Sequence, residues 1–130
     1  MRPLDLRPLL DRVPDVQAVY AFGSRAEGAA RPDSDLDLAV LAARPLDPVD
    51  RFDVQEAVAA ALGLDVDLVD LRSASTVMRV EVLRTGQVIH DVDPTARAFF
   101  ETRVLSAYAL LNEERRGILE DIRQRGRVHA

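Results

Sequence analysis

Apolar and polar positions along the chain alternate between short strand-like runs and longer helical ones. Residues 16–22, VQAVYAF, become almost wholly apolar toward their end, the pattern of a strand covered on both faces. Residues 35–41, DLDLAVL, begin with two alternating acids and finish apolar, which predicts a second strand. Residues 65–69, DVDLV, keep a period of two and predict a third. Residues 87–90 form a short extended piece, read as an edge strand.

The helices announce themselves through their ends. Asp47 followed by Pro48 is a cap and then a first-turn proline, and Gly63 closes a helix over residues 48–62. Phe52, Gln55, Ala59 and Leu62 give that helix an inner face. Ser73 is placed as the cap of a helix ending at Gly86, with Val77, Val80 and Leu83 inward and Met78 and Val82 widening the stripe. Asp93-Pro94 repeats the cap-then-proline signature and opens a long helix reaching about residue 119 or beyond. Phe100, Val104, Ala107, Tyr108 and Leu111 share its face, Gly117 weakens it, and the last ten residues are polar and expected to fray. Residues 4–12 read as a short helix or turn limited by Pro8, with Leu6, Leu9 and Leu10 against one edge of the core.

Composition narrows the class. A chain of 130 residues fits one domain with a modest core, and 48% hydrophobic residues make it globular. Aromatics are only 5% and tryptophan is absent, so the core must be aliphatic. The lack of cysteine excludes disulfides and thiolate metal sites and suits a reducing compartment. Nothing resembles a signal peptide, and no apolar run approaches the roughly 20 residues that span a bilayer. A cytoplasmic location without membrane attachment is the expectation. The net charge of -5 argues against direct nucleic-acid binding. That charge is uneven: residues 1–93 hold 10 arginines against 17 acids, and residues 94–130 hold 7 against 5.

The chemistry gathers between the first two strands. Gly23-Ser24 ends the first, and ten residues after Ser24 comes the pair Asp35 and Asp37. Residues two apart on a strand point to one face, so the two carboxylates repel each other unless a cation lies between them. Mg²⁺ takes oxygen ligands, commonly one or two carboxylates plus substrate phosphates, and two such ions can clamp a transferring phosphoryl group. Asp67 on the third strand offers another carboxylate, as a metal ligand or as the base for an attacking hydroxyl. Asp65 shares its face and is the rival; Asp67 is preferred because it lies mid-strand between Val66 and Leu68, where a buried acid needs a reason. Asp70 should face the other way.

Gly23 lets phosphates approach the backbone closely. Ser24 supplies a hydroxyl and an N–H, and caps a short helix over residues 24–28 in which Glu27 completes a capping box. Arg25 and Arg31 are within reach of outer phosphates. Taken singly, each of these features is ordinary for a turn, a strand face or a surface. Their combination at these spacings is not.

The stretch GSRAEGAARPDSDLDLAV resembles the signature of the DNA polymerase beta-like nucleotidyltransferase superfamily, a Gly-Ser followed ten residues later by Asp-x-Asp. It is most similar to the minimal, MNT-type members, and the resemblance covers roughly residues 16–90. It implies an α+β fold, a small mixed β-sheet with helices packed on it, here followed by a long C-terminal helix. Residues 1–93 would form the minimal core, and residues 94–130 a helix packing on that core or on a partner. It implies that Gly23, Ser24 and Arg25 bind the triphosphate of ATP, and that Asp35, Asp37 and Asp67 hold Mg²⁺, two ions in all. Some MNT-type members are antitoxins that transfer AMP from ATP to a tyrosine of a helical HEPN-type ribonuclease toxin, and that activity and partner are expected here, together with an oligomer containing the toxin. Glu27 departs from the basic residue often found at that place, which removes one phosphate contact. The competing readings are a module that neutralises a toxin by binding alone, and a nucleotidyltransferase acting on a small molecule such as an aminoglycoside.

Overall fold

The computed structural model describes residues 4–23 and 35–128. The order of elements is α1 (Arg7–Leu10), β1 (Val16–Phe22), β2 (Leu36–Ala42), α2 (Pro48–Leu62), β3 (Val66–Asp70), α3 (Thr76–Thr85), β4 (Gln87–Asp91) and α4 (Pro94–Val128). The strands form one mixed sheet in the order β3-β2-β1-β4. β1 is antiparallel to both β2 and β4, whereas β2 and β3 run parallel. The parallel pair needs a crossover, and α2 supplies it.

Period-two alternation sends successive strand residues to opposite faces, and both faces are covered. On one face Val19, Leu38, Val40 and Leu68 meet Leu9 of α1 and Val54 and Val58 of α2. On the other, Ala18, Tyr20, Ala39 and Leu41 meet Val82 of α3 and Phe100 and Val104 of α4. Two aliphatic cores therefore sandwich a sheet whose central strands, β1 and β2, are almost wholly buried.

Within the described residues the predicted elements are present, with instructive shifts. β2 and β3 each begin one residue later than the spacing suggested, leaving Asp35 and Asp65 just outside their strands. Asp47 caps α2 by accepting from Val49 N at 2.9 Å, and Gly63 closes it at φ 65°. α2 buries Val54 and Val58, and Ala59 and Leu62 of the predicted stripe pack against the same core, whereas Phe52 is exposed. Gln55 turns instead to the sheet edge: its Oε1 accepts from Leu68 N at 3.0 Å, while Arg51 Nη1 donates to Leu68 O at 3.0 Å. These two side chains occupy backbone groups on the open edge of β3, where another strand could otherwise add.

Ser75, not Ser73, caps α3, accepting from Met78 N at 3.1 Å. The Ser73 hydroxyl is held by Asp70, so it is not the cap. Val77 and Met78 are exposed and only Val82 is fully buried, because α3 meets the sheet near its C-terminal end. Asp93 caps α4 through Ala96 N at 3.0 Å. That helix runs on through Gly117 to Val128, beyond the minimum end near residue 119. Its Phe100 and Val104 pack on the sheet, but Ala107 is exposed, since the helix projects past the sheet after its third turn.

Asp70 lies on the opposite face from Asp67 and is 5% exposed. Its carboxylate accepts from Leu46 N at 2.9 Å, Arg72 N at 3.1 Å and the Ser73 hydroxyl at 2.8 Å. It thus ties both connections at the C-terminal ends of β2 and β3. Removing a buried acceptor strands three donors. Asp70→Ala should therefore cost on the order of 3 kcal/mol in a urea unfolding curve, whereas Asp67→Ala, exposed on the same strand, should change stability by less than about 0.5 kcal/mol.

Candidate active site

The site lies at the corner where β1 ends and β2 begins. Antiparallel register sets Phe22 opposite Asp37, so the chain leaving β1 through Gly23 passes beside that aspartate. Gly23 has φ 76°, a left-handed conformation that side chains rarely adopt. A Cβ there would run into Oδ2 of Asp37. Glycine is thus required twice over, for its dihedral and for the space that the Asp37 carboxylate fills.

Parallel register then sets Asp37 opposite Asp67. Registered residues on adjacent strands point to the same side of the sheet, so the two carboxylates are neighbours on the face shared with Phe22 and Ala39. Leu36 and Leu38 point to the opposite face, into the core with α1 and α2. Asp35 immediately precedes β2 and is exposed. Asp37 is half-buried, and its pKa is raised, first by burial and then by the negative charges of Asp67 and Asp35. That response ties the three acids together electrostatically.

The preference for Asp67 over Asp65 now rests on different ground. Asp67 is exposed, so it is not a buried acid seeking a reason. What distinguishes it is register with Asp37. Asp65 stands one residue before β3, and its carbonyl accepts from Leu36 N at 2.9 Å. Ser24, Arg25, Glu27 and Arg31, with the predicted short helix over residues 24–28 and the loop over 29–34, lie outside the described residues.

Among the described residues, no three acids or histidines gather closely enough to enclose a cation on their own. The donor set nevertheless fits Mg²⁺: carboxylate oxygens only, in mutual repulsion, beside the Gly23 turn. Mg²⁺ ordinarily completes its shell with water and substrate phosphates rather than an all-protein cage.

The mixed sheet, the glycine corner and the registered aspartates define a nucleotidyltransferase of the polymerase beta type. A match to the family described as Polymerase beta, Nucleotidyltransferase spans residues 5–95, and the chain belongs to this family. It is 39% identical over 117 residues to the protein adenylyltransferase MntA of Shewanella oneidensis, covering 90% of this chain and 84% of that relative. A crystal structure of a toxin-antitoxin with AMP-PNP matches with a TM-score of 0.81 and 39% identity, over 90% of this chain and 94% of that one. A structure of the tri-AMPylated Shewanella oneidensis HEPN toxin in complex with MNT antitoxin matches with a TM-score of 0.74 and 38% identity, over 90% and 91% of the two chains.

Two outcomes are expected from this geometry. The folded-state pKa of Asp37 lies above its unfolded value, so the metal-free fold keeps its full stability below the unfolded carboxylate pKa of about 3.9 and loses part of it as pH rises through the folded pKa. In EDTA at neutral pH, Asp37→Asn should therefore melt roughly 3 °C higher than the wild type, with the gap closing toward pH 3. A lower melting temperature for the variant would contradict the repulsion. Gly23→Ala should abolish nucleotidyl transfer while destabilising the fold by about 1–3 kcal/mol, because Asp37 must shift to admit the new methyl; activity assay and thermal melt read the two effects separately.

Proposed function

We propose that this chain is an antitoxin that transfers AMP from ATP to a tyrosine hydroxyl of a HEPN-type toxin, using Asp35, Asp37 and Asp67. The observation that carries the reading is the registered Asp37–Asp67 pair beside Gly23. It is supported by relatives that are named for protein adenylylation and that were crystallised with an AMPylated HEPN toxin.

In this mechanism Gly23 and Ser24 receive the triphosphate through backbone N–H groups and the serine hydroxyl, with Arg25 on the outer phosphates. Asp35 and Asp37 would hold Mg²⁺, with Asp67 completing the set. The bound cations would neutralise the charge that grows on the phosphoryl oxygens. The acceptor oxygen attacks the α-phosphorus, a P–O bond forms, and the bond to the leaving pyrophosphate breaks. Asp67, exposed beside the pair, accepts the proton that the hydroxyl gives up. Asp37, raised in pKa and wedged against Gly23, keeps the phosphate corner and the acid pair in one rigid unit.

Residues 1–93 serve as the catalytic core in this reading, and residues 94–130 as the arm that reaches the partner. α4 leaves Leu110, Ile118 and Ile122 more than half exposed beyond the sheet, an apolar surface suited to a helical protein. Among the described residues no helix is long and apolar enough to cross a membrane, and the chain has no cysteine. Both facts support action in the cytoplasm.

The test is the intact mass of the HEPN-type partner after incubation with this protein, Mg²⁺ and ATP. A gain of one or more AMP units is expected, absent with Asp35→Asn/Asp37→Asn. If the doubly substituted protein still neutralised the toxin in cells, neutralisation would be by binding and the catalytic reading would fail.

A further inference from the structure

A polar cavity of ≈ 450 Å³ opens between α3 and α4, at the other end of β1 from the candidate active site. Gln17, at the start of β1, lines it. The candidate active site lies at the end of the same strand, five residues on, or roughly 17 Å away. Three arginines line the cavity: Arg72, Arg79 and Arg103.

Their arrangement is built rather than incidental. Arg72 donates from Nε to Ala42 O at 2.7 Å and from Nη2 to Gln17 Oε1 at 2.9 Å. Arg79 donates from Nε to Leu71 O at 2.7 Å and from Nη2 to Arg72 O at 2.8 Å. Both guanidiniums stack on Phe100, 5.2 and 5.4 Å from its ring centre. Arg103 lies over Phe99 at 5.8 Å. Every hydrogen-bond acceptor of the Arg72 and Arg79 guanidiniums is a neutral oxygen, and among the described residues no carboxylate forms an ion pair with any of the three. A guanidinium has five N–H donors, so each keeps donors to spare.

Three positive groups around one cavity repel each other. Burial, followed by the charges of Arg79 and Arg103, lowers the pKa of Arg72, with Asp70 opposing. Arg97, by contrast, is paired with both Asp91 and Glu101. A single carboxylate would leave most of the charge unbalanced. A polyphosphate would balance it, and planar guanidiniums suit phosphate oxygens as bidentate donors. The volume lies in the range of small-ligand pockets. Phe99, exposed at the rim, offers a face on which a base could stack.

We propose that the Arg72–Arg79–Arg103 cavity is a second, non-catalytic binding site for a small polyphosphate, either inorganic pyrophosphate or a nucleoside polyphosphate. The bound anion bridges α3, α4 and the start of β1 and so braces the long helix against the sheet. This assignment does not depend on the nature of the acceptor at the active site.

Calorimetric titration of the full chain in EDTA, with pyrophosphate, ATP and AMP as separate probes, tests it. Pyrophosphate should bind the wild type without divalent cation. Arg103→Glu should weaken that binding by roughly tenfold or more, with Arg103→Ala in between. Arg103 makes no hydrogen bond among the described residues, and its loss relieves repulsion, so both variants should melt no lower than the wild type when no ligand is present. Phe99→Ala separates the sources: a loss for ATP but not for pyrophosphate assigns the site to a nucleotide, and no loss for either assigns it to the inorganic anion. The proposal is overturned if pyrophosphate fails to bind at millimolar concentration, or if its affinity stays within about twofold in Arg103→Glu. It is equally overturned if that variant binds pyrophosphate normally but loses the HEPN-type partner, since the cavity would then belong to an acidic segment of the partner.

Discussion

Parallel pairing of β2 with β3 sets Asp37 opposite Asp67, and the repulsion between them is the constraint that the surrounding structure accommodates. Two like charges on adjacent strands work against the ladder that holds them. The sheet tolerates them because the opposite face of the same strands is locked: Leu36, Leu38, Val66 and Leu68 are all buried against α1 and α2. Burial on one face fixes register, since a slip of one residue would turn the leucines outward and the acids inward. The hydrophobic core thus holds the carboxylates in a geometry that they would not adopt alone.

The same division of labour appears within β3. Asp67 and Asp70 are three residues apart and fall on opposite faces. One is exposed at the candidate site, and the other is buried with three donors around it. The chemistry of an aspartate is the same at both places, and its surroundings decide the role. Arg51 and Gln55 bond the backbone of Leu68 on the free edge beside them, so the strand that carries Asp67 is held on both sides.

Much of this was legible from the sequence. The apolar runs located the strands to within a residue, and Asp47, Gly63, Gly86 and Asp93 marked helix ends because caps and stops depend on local chemistry. The inner faces of α2 and α3 were read less well. Phe52, Val77 and Met78 are apolar yet exposed, since position along a helix relative to the sheet decides burial, and no periodicity encodes that position. Ser73 was a reasonable cap until Asp70 claimed its hydroxyl from across the turn. At the candidate site, spacing singled out Gly23, Asp35 and Asp37, and the structure places Gly23 against Asp37. Asp67 was preferred over Asp65 on an argument about burial, whereas register is what singles it out. The arginine cavity left no trace in the sequence, because Arg72, Arg79 and Arg103 meet only through the packing of α3 and α4 about Phe100.

The central claim is that Gly23, Asp35, Asp37 and Asp67 form one nucleotide site held together by shared cations. A crystal structure with a non-hydrolysable ATP analogue and Mn²⁺, located by its anomalous signal, tests this most directly. The account predicts manganese on the carboxylate oxygens of Asp35 and Asp37, the triphosphate over Gly23, and the α-phosphate on the side facing Asp67. Phosphates and manganese bound away from that corner would contradict it.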